Sequence, residues 1–348
     1  MNFCSDNVTG AAPEILAHLS AVNAEPMMPY GEDPVTARVD AALAAVFERA
    51  PGTMASFPVA TGTAANALCL SAVVPPYGAV LCHRDAHINV DECGAPEHFT
   101  GGAKLIPLDG AAAKLTPETV AEALAAGWTG VVHHAQPACL SITQATEAGA
   151  VYTPDEVAAL VDVAHAHGLM VHMDGARFAN ALVAVGCAAA DMTWRAGVDL
   201  MSFGATKNGA LAAEAAIFFR PELAESIAFR RKRAGHLFSK MRFLSAQLEA
   251  YLAGDLWLRN ARHANAMAAR LASGLVDVPG VSLADQVAAN ELFVHLPDGL
   301  AAHLRARGFA FYPWTAGGAD CYRFVTAWCT APADVDLLIE TARGSAAA

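Results

Sequence analysis

Helical and extended patterns of hydrophobic residues alternate along the chain. At Thr153–Glu156 a capping threonine precedes a proline, and a glutamate stands three residues after the cap, which is typical of a helix start. We expect this helix to end near Gly168, because the short apolar run Leu169–Met173 that follows predicts a buried strand. Thr116–Glu118 predicts another helix start, with its strand at Gly130–His134.

The same alternation continues, with Val198–Phe203 as a further buried strand. It predicts an α/β fold with a mainly parallel sheet and helices on both faces, whose ligand crevice lies at the carboxyl ends of the strands. Downstream, helical spacing over Ser245–Leu275 predicts one long connector helix. Glu291–Leu296 and Tyr322–Trp328 then predict strands of a smaller C-terminal domain.

Composition supports a compact globular chain. Its 348 residues are 55% hydrophobic and only 16% charged, which favours extensive internal packing over an extended solvated chain. The sequence has no apolar stretch of about 18 uncharged residues and no signal-peptide pattern at its N-terminus. We therefore predict no membrane partner and a cytoplasmic location. The eight cysteines show no C-x-x-C spacing, so reduced thiols are expected.

The charge distribution has one local exception. A net charge of -12 opposes binding to nucleic acid, so no such partner is predicted. Within this acidic chain, thirteen residues carry six cations, namely Arg230, Arg231, Lys232, Arg233, Lys240 and Arg242. The cluster indicates either a local anion site or a solvated basic helix.

The segment Ala60–Asn66 opens a helix with two small hydroxylated residues around Gly62. Free backbone amides and hydroxyl groups at such a start bind anions, although an ordinary capped helix has the same pattern. The chain lacks both the G-x-G-x-x-G dinucleotide fingerprint and a P-loop lysine, which disfavours a nicotinamide oxidoreductase.

Two charged residues follow predicted strands. Asp174 is interpreted either as a helix cap or as a carboxylate that pairs with a protonated pyridine nitrogen. Lys207 stands among small residues after an apolar run. A lysine there either extends to solvent or, when desolvated, becomes a nucleophile able to form a Schiff base.

Seven segments together resemble, in order and spacing, the low-specificity L-threonine aldolases, which are pyridoxal-phosphate enzymes of fold type I. The resemblance covers essentially the whole chain. It implies a mainly parallel seven-stranded sheet flanked by helices, plus a smaller C-terminal α+β domain. The segments are Cys4–Thr9, Tyr30–Pro34, Thr61–Thr63, Ala86–His87, Met173–Arg177, Lys207 and Tyr322–Thr326.

The resemblance implies roles for residues that bind the pyridoxal 5'-phosphate cofactor. Lys207 matches the Schiff-base lysine and Asp174 the partner of the pyridine nitrogen. Gly62 and Thr63 match the phosphate cradle. His87 matches the histidine that stacks on the ring and is a candidate base, a role that suits a group titrating near neutrality.

Further roles concern the substrate and a neighbouring subunit. Ser5, Arg177 and Arg323 match the group that clamps the substrate carboxylate, and the planar fork of arginine suits that task. Arg177 also counts among the cofactor-binding residues, and Tyr30 among the substrate-binding ones. The basic segment with Arg233 and Lys240 resembles one that reaches the phosphate of a neighbouring subunit.

The implied reaction is the reversible cleavage of L-β-hydroxy-α-amino acids (L-threonine, L-allo-threonine, L-phenylserine) to glycine and an aldehyde. The resemblance implies a homo-oligomer of at least two subunits, and we expect a tetramer. We expect an N-terminal arm at 1–20 that contributes to the active site, a large cofactor-binding domain at 21–245, and a connector helix with a small domain at 246–348. Another fold-type I reaction, β-elimination or transamination, and a non-catalytic cofactor-binding regulator are the alternatives.

One departure from the family leaves the proton acceptor open. In some members a second histidine approaches the substrate hydroxyl from the segment that here reads Ser141–Glu147, and that segment has no histidine. His133 and His134 lie upstream, so His87, or a water that it holds, is our first choice. His83 and His87 have helical spacing, but no further ligands complete a set, so no metal is predicted.

Overall fold

Seven strands form the central sheet in this computed structural model, which describes residues 1–346. The last two residues of the predicted C-terminal domain lie outside the described residues. The strand order is β1-β7-β6-β5-β4-β2-β3. The strands are β1 (Ala55–Val59), β2 (Gly78–His83), β3 (Lys104–Leu108), β4 (Gln136–Thr143), β5 (Met170–Gly175), β6 (Leu200–Gly204) and β7 (Glu214–Phe218).

Strands β3, β2, β4, β5 and β6 run parallel, and β7 runs antiparallel to both β6 and β1. A second sheet has the order β10-β11-β9-β8 and is antiparallel. The predicted fold class, a mostly parallel seven-stranded sheet with a smaller α+β unit, is therefore confirmed. The second sheet consists of β8 (Ser282–Leu283), β9 (Glu291–His295), β10 (Tyr312–Pro313) and β11 (Cys321–Val325).

Helices cover the sheets and fill the connections between strands. The part of the chain that the structure describes contains α1 (Pro13–Val22), α2 (Pro34–Val46), α3 (Gly62–Val73), α4 (His87–Val90), α5 (Ala95–Thr100), α6 (Pro117–Ala125), α7 (Pro154–Ala166), α8 (Phe178–Val185), α9 (Ala189–Met192), α10 (Ile227–Arg233), α11 (Arg242–Leu252), α12 (Leu256–Leu275), α13 (Leu300–Ala306) and α14 (Pro332–Ala346). Within residues 1–346, none of these helices has the length and apolar character needed to cross a membrane.

Local sequence signals account for several helix starts. The Thr153 hydroxyl accepts a hydrogen bond from the Glu156 amide, and the Glu156 carboxylate accepts one from the Thr153 amide at 2.7 Å. This reciprocal capping box satisfies two backbone donors at the start of α7, as predicted. Thr116 caps α6 in a similar way through the Thr119 amide.

Two predicted elements are wrong. Gly130–His134 is a turn, and β4 begins only at Gln136. The Gln136 side chain donates hydrogen bonds to the carbonyl oxygens of Trp128, Val131 and His134, and these bonds hold the segment in a loop. The predicted connector is two helices, α11 and α12. They are separated at Gly254 and Asp255, whose φ angles of 56° and 65° are left-handed and incompatible with a continuous helix.

The core has two main parts. Phe47, Phe178, Phe203 and Phe219 cluster under the central sheet, with ring centroids 5.1 to 6.2 Å apart. Phe178 directly follows Arg177, and Phe203 precedes Lys207 by four residues, so one aromatic cluster anchors two segments of the site.

The second core lies between the small sheet and helices α12 to α14, and Phe3 of the N-terminal segment packs in it. The predicted boundary at residue 246 falls inside α11, and Leu248 and Tyr251 of that helix belong to the first core. The three predicted domain ranges stay a prediction.

A close backbone approach at Gly204 generates a prediction on stability. A Cβ atom there would lie 2.5 Å from the Ala176 carbonyl oxygen. We expect Gly204→Ala to lower the free energy of unfolding by about 1–3 kcal/mol, because the backbone after β5 must shift. Urea denaturation measures the loss. Gly344→Ala, where a Cβ meets nothing within 4 Å, is the matched control, and equal midpoints for both variants would contradict the prediction.

Candidate active site

A cavity of 430 Å³ lies where β2, β4, β5 and β6 end. Because parallel strands bring their carboxyl ends to one edge, residues from distant parts of the chain meet there. The structure brings together six of the predicted site residues in its wall, namely Gly62, Thr63, His87, Asp174, Arg177 and Lys207. Asn7 of the N-terminal segment also lines it.

Asp174 supplies a buried negative charge on β5. Its side chain accepts hydrogen bonds from Asn66 Nδ2 at 2.7 Å and from the Ala176 amide at 3.0 Å. Burial alone would raise the pKa of this carboxyl group, but the facing charges of His87 and Lys207 and the two hydrogen bonds hold the pKa below its ordinary value. Asp174 is therefore ionised at neutral pH and can pair with a cation in the cavity.

Lys207 lies on a tight turn directly after β6. Its neighbour Asn208 is buried and donates hydrogen bonds to the Tyr251 hydroxyl at 2.7 Å and to the Trp257 carbonyl at 2.8 Å. Thr206 bonds the Ala213 backbone on the other side of the turn. These contacts fix the backbone on both sides of Lys207, so its amine is presented to the cavity from a rigid support.

The start of α3 forms another part of the wall. Thr61 caps this 12-residue helix through the Ala64 amide at 3.2 Å, which leaves the first amides at Gly62 and Thr63 directed outward. A Cβ on Gly62 would meet nothing within 4 Å, so there is open space beside the helix start. Free amides with adjacent space are suited to a phosphate group.

His87 is the first residue of α4 and is held by two carboxyl groups. Its Nδ1 lies 2.8 Å from Glu92 Oε1, and its backbone amide donates to Glu147 Oε1 at 2.9 Å. The hydrogen bond to Glu92 raises the pKa of His87, burial opposes this, and the Asp174 charge raises it further. The imidazole therefore keeps its proton to higher pH than an isolated histidine.

A cluster of two arginines and two acids borders the cavity. Arg177 donates to Asp6 at 2.7 and 3.1 Å and lies 3.1 Å from Glu291. Arg323 lies 3.8 Å from the same Glu291 and donates to the Cys4 carbonyl at 3.4 Å. Ser5 precedes Asp6, and its hydroxyl accepts from the Asn7 amide, so the three predicted carboxylate-clamp residues lie in one region.

Five predicted site residues do not line this cavity. Ser5 and Arg323 belong to the cluster around Arg177, and Tyr30, Arg233 and Lys240 lie elsewhere. Tyr30 is exposed, its amide bonds the Ser239 carbonyl, and Lys232 lies over its ring at 4.6 Å. Arg233 borders a different hollow, and Lys240 is exposed on the following loop. The roles of Tyr30, Arg233 and Lys240 in substrate and cofactor binding stay predictions.

Several buried polar residues at the site were missed by sequence reasoning, namely Asn66, Glu92, Glu147, Glu214 and Glu291. Burial raises the pKa of Glu214 to about 7, and its Oε2 accepts from the Ala205 amide at 2.9 Å. A signal was present for two of them. Glu214 and Glu291 each open a short apolar run, and an acid at the edge of a buried strand is costly unless it has partners.

A mostly parallel sheet whose carboxyl edge carries a lysine, a buried ionised carboxylate and an open helix start is the arrangement of fold-type I pyridoxal-phosphate-dependent enzymes. The fold and the site define this class.

Comparisons with known proteins place the chain within that class. Residues 2–298 match the family described as Beta-eliminating lyase. The low specificity L-threonine aldolase of Pseudomonas aeruginosa is 43% identical over 341 residues, covering 98% of this chain and 96% of the relative. The enzyme of the same name from Pseudomonas sp. (strain NCIMB 10558) is 42% identical and covers 96% and 94%.

A solved structure of threonine aldolase from Leishmania major superposes with a TM-score of 0.91 at 28% identity and covers 99% of each chain. The chain belongs to the beta-eliminating lyase family and, within it, to the low-specificity L-threonine aldolases, so it is a carbon–carbon lyase. The predicted resemblance is confirmed.

The His87–Glu92 contact predicts that the pKa of His87 depends on Glu92. Replacing Glu92 by Gln removes the anion that stabilises the imidazolium, so we expect the pKa of His87 to fall towards that of an isolated histidine. NMR titration of the ¹³C-labelled ring in the cofactor-free protein measures it, with Glu118→Gln on the exposed face of α6 as the control. An unchanged His87 pKa in the Glu92 variant would show that the contact does not set the charge.

Proposed function

We propose that this enzyme binds pyridoxal 5'-phosphate and reversibly cleaves L-β-hydroxy-α-amino acids to glycine and an aldehyde. L-threonine, L-allo-threonine and L-phenylserine are the proposed substrates. The observation that carries the proposal is the meeting of Lys207, Asp174 and the start of α3 in one cavity. The names of the two Pseudomonas relatives, at 43% and 42% identity, support the same reaction.

The residues of the cavity fit the cofactor. Lys207 would bind its carbonyl carbon, and the amides and hydroxyl at Gly62 and Thr63 would hold its phosphate. Asp174, a buried ionised carboxylate, would pair with the ring nitrogen, and His87 would lie against the ring. When bound, the cofactor supplies an electron sink for the charge that develops on the substrate Cα.

The arginine cluster would hold the substrate. Arg323 and Arg177 would bind the substrate carboxylate together with Ser5, since a guanidinium fork matches a carboxylate in two hydrogen bonds. Asp6 and Glu291 fix the direction of the Arg177 guanidinium before substrate arrives. Holding the carboxylate determines which bond at Cα can break, which is the selection step between aldol cleavage and other reactions of this cofactor.

We also propose that the enzyme is a homo-oligomer of at least two subunits, and the family resemblance favours a tetramer. Support comes from Arg233 and Lys240, which are exposed and absent from the cavity wall of their own chain, as residues serving a neighbouring subunit would be. A cytoplasmic location is proposed as well. Burial raises the pKa of the Cys69 and Cys139 thiols, which suits reduced, unreactive cysteines.

The absorbance spectrum tests the cofactor and the reaction together. Wild type with pyridoxal phosphate is expected to show a visible band that Lys207→Ala lacks, because the amine that binds the cofactor is absent. Incubation with L-threonine or L-phenylserine should then release glycine and the aldehyde in equal amounts. A band without aldehyde, or with ammonia and a keto acid, would reject the aldolase; no band would reject the cofactor.

The subunit contribution has its own test. We expect Arg233→Ala and Lys240→Ala each to raise the cofactor dissociation constant about tenfold or more, since a lost hydrogen bond to a charged group costs about 1.5–3 kcal/mol. Fluorescence titration measures this, with light scattering to confirm that assembly is unchanged. The exposed Arg262→Ala serves as the control, and wild-type affinity in both variants would remove these residues from the phosphate site.

A further inference from the structure

Glu147 occupies a rigid position on the wall of the cavity. It follows β4 in a turn closed by backbone hydrogen bonds from Thr146 to Ala150 and from Gly149 to Thr146, each of 2.9 Å. The Thr146 hydroxyl also donates to the Ala112 carbonyl at 2.9 Å. The backbone that carries the Glu147 side chain is thus held from both sides.

The two oxygens of the Glu147 carboxyl group are in different situations. Oε1 accepts hydrogen bonds from the His87 amide and from the Thr143 hydroxyl, both at 2.9 Å. Oε2 is buried and has no hydrogen-bond partner among the described residues. A buried carboxyl oxygen without a partner is costly unless something else meets it. The carboxyl is therefore oriented by one oxygen while the other stays available.

Glu147 also lines a second, smaller cavity of 180 Å³ beside the first. Phe293, Trp314 and the acids Asp85 and Asp285 form part of that cavity, together with several alanines. The carboxyl group therefore stands in the wall that the two cavities share. A substrate whose carboxylate lies at the arginine cluster and whose β-substituent extends towards the aromatic pair would pass this carboxyl.

The other polar groups of the cavity are committed to other contacts. His87 Nδ1 is bound to Glu92 Oε1 at 2.8 Å, and this contact raises the pKa of the imidazole. Asp174 is occupied by Asn66 and the Ala176 amide. Glu92 Oε1 is bound by Asn66 and His87 and its Oε2 has no partner among the described residues, but Glu92 does not line the second cavity.

Glu214, the remaining acid of the cavity wall, is bound to the turn that carries Lys207 through the Ala205 amide. Glu147 is the carboxyl group with an oriented and uncommitted oxygen at the junction of the two cavities.

We propose that Glu147 accepts the proton of the substrate β-hydroxyl during cleavage of the carbon–carbon bond and returns it during aldol addition. This inference rests on the proposed aldolase function. The hydroxyl O–H bond breaks and its proton moves to Glu147 Oε2. The oxygen electrons form the aldehyde C=O bond as the Cα–Cβ bond breaks, and the electron pair of that bond stays on Cα, which is protonated before glycine leaves.

The surroundings of Glu147 suit this role at neutral pH. Burial and the Asp174 charge raise the pKa of its carboxyl group, the His87 and Thr143 hydrogen bonds lower it, and the net result is a pKa of about 7. Arg177 faces the group with a positive charge. The thiol and phenol that also face it, those of Cys82 and Tyr152, have raised pKa values and stay neutral. Because the ionised form accepts the proton, activity should rise as the pH increases through about 7.

The substitution Glu147→Gln keeps an oxygen that can accept the two hydrogen bonds and removes the base. We expect kcat for aldehyde release from L-threonine and L-phenylserine to fall about 10²- to 10⁴-fold. Exchange of the glycine α-proton in D₂O involves no hydroxyl group, so it should stay within about threefold of wild type, as should the cofactor band. Glu118→Gln on the exposed face of α6 is the matched control, with wild-type values throughout.

Thr143→Val provides a second test that does not depend on the first variant. Removing the hydroxyl donor removes a contact that lowers the Glu147 pKa, so the acid limb of kcat/KM should move to higher pH. A glutamine variant that releases aldehyde within threefold of wild type, or an acid limb that stays in place in the valine variant, would overturn the inference. Failure of wild type itself to release aldehyde would instead reject the proposed function.

Discussion

The buried carboxylate of Asp174 is the constraint around which the site is built. An ionised group at a strand end inside the protein is unfavourable unless nearby charges and donors compensate for lost water. Asn66 comes from α3, the Ala176 amide from the turn after β5, His87 from α4 and Lys207 from the turn after β6. Groups from four segments thus surround the charge of Asp174, and the cavity is the space between these segments.

Three ion pairs lie around this buried carboxylate. His87 is paired with Glu92, Arg177 with Asp6, and Arg323 with Glu291. Arg177, on the turn after β5, also lies 3.1 Å from Glu291 of β9, so its two ionic contacts hold the N-terminal segment and the small sheet against the large one. Because a partner left alone would carry an uncompensated charge, the pairs are sensitive to single substitutions.

Sequence patterns predicted the parts of the structure that local chemistry determines. The α7 capping box and the strands before Asp174 and Lys207 follow from short-range spacing, and in the structure both of these residues line the cavity. The break between α11 and α12 could not be predicted, because the left-handed backbone conformation of Asp255 is uncommon for residues other than glycine. Glu147 was missed because its place at the site depends on a contact with His87, 60 residues away in the sequence.

The paired arginines and acids have a consequence for selectivity. Arg177 and Arg323 carry two positive charges, and Asp6 with Glu291 carries up to two negative ones, so the region has little net charge before substrate binds. A zwitterionic amino acid brings one carboxylate with one ammonium group and preserves that neutrality. A β-hydroxy amino acid with an acidic side chain would introduce a further anion near Glu147 and Asp174. Electrostatic repulsion thus selects substrates by side-chain charge.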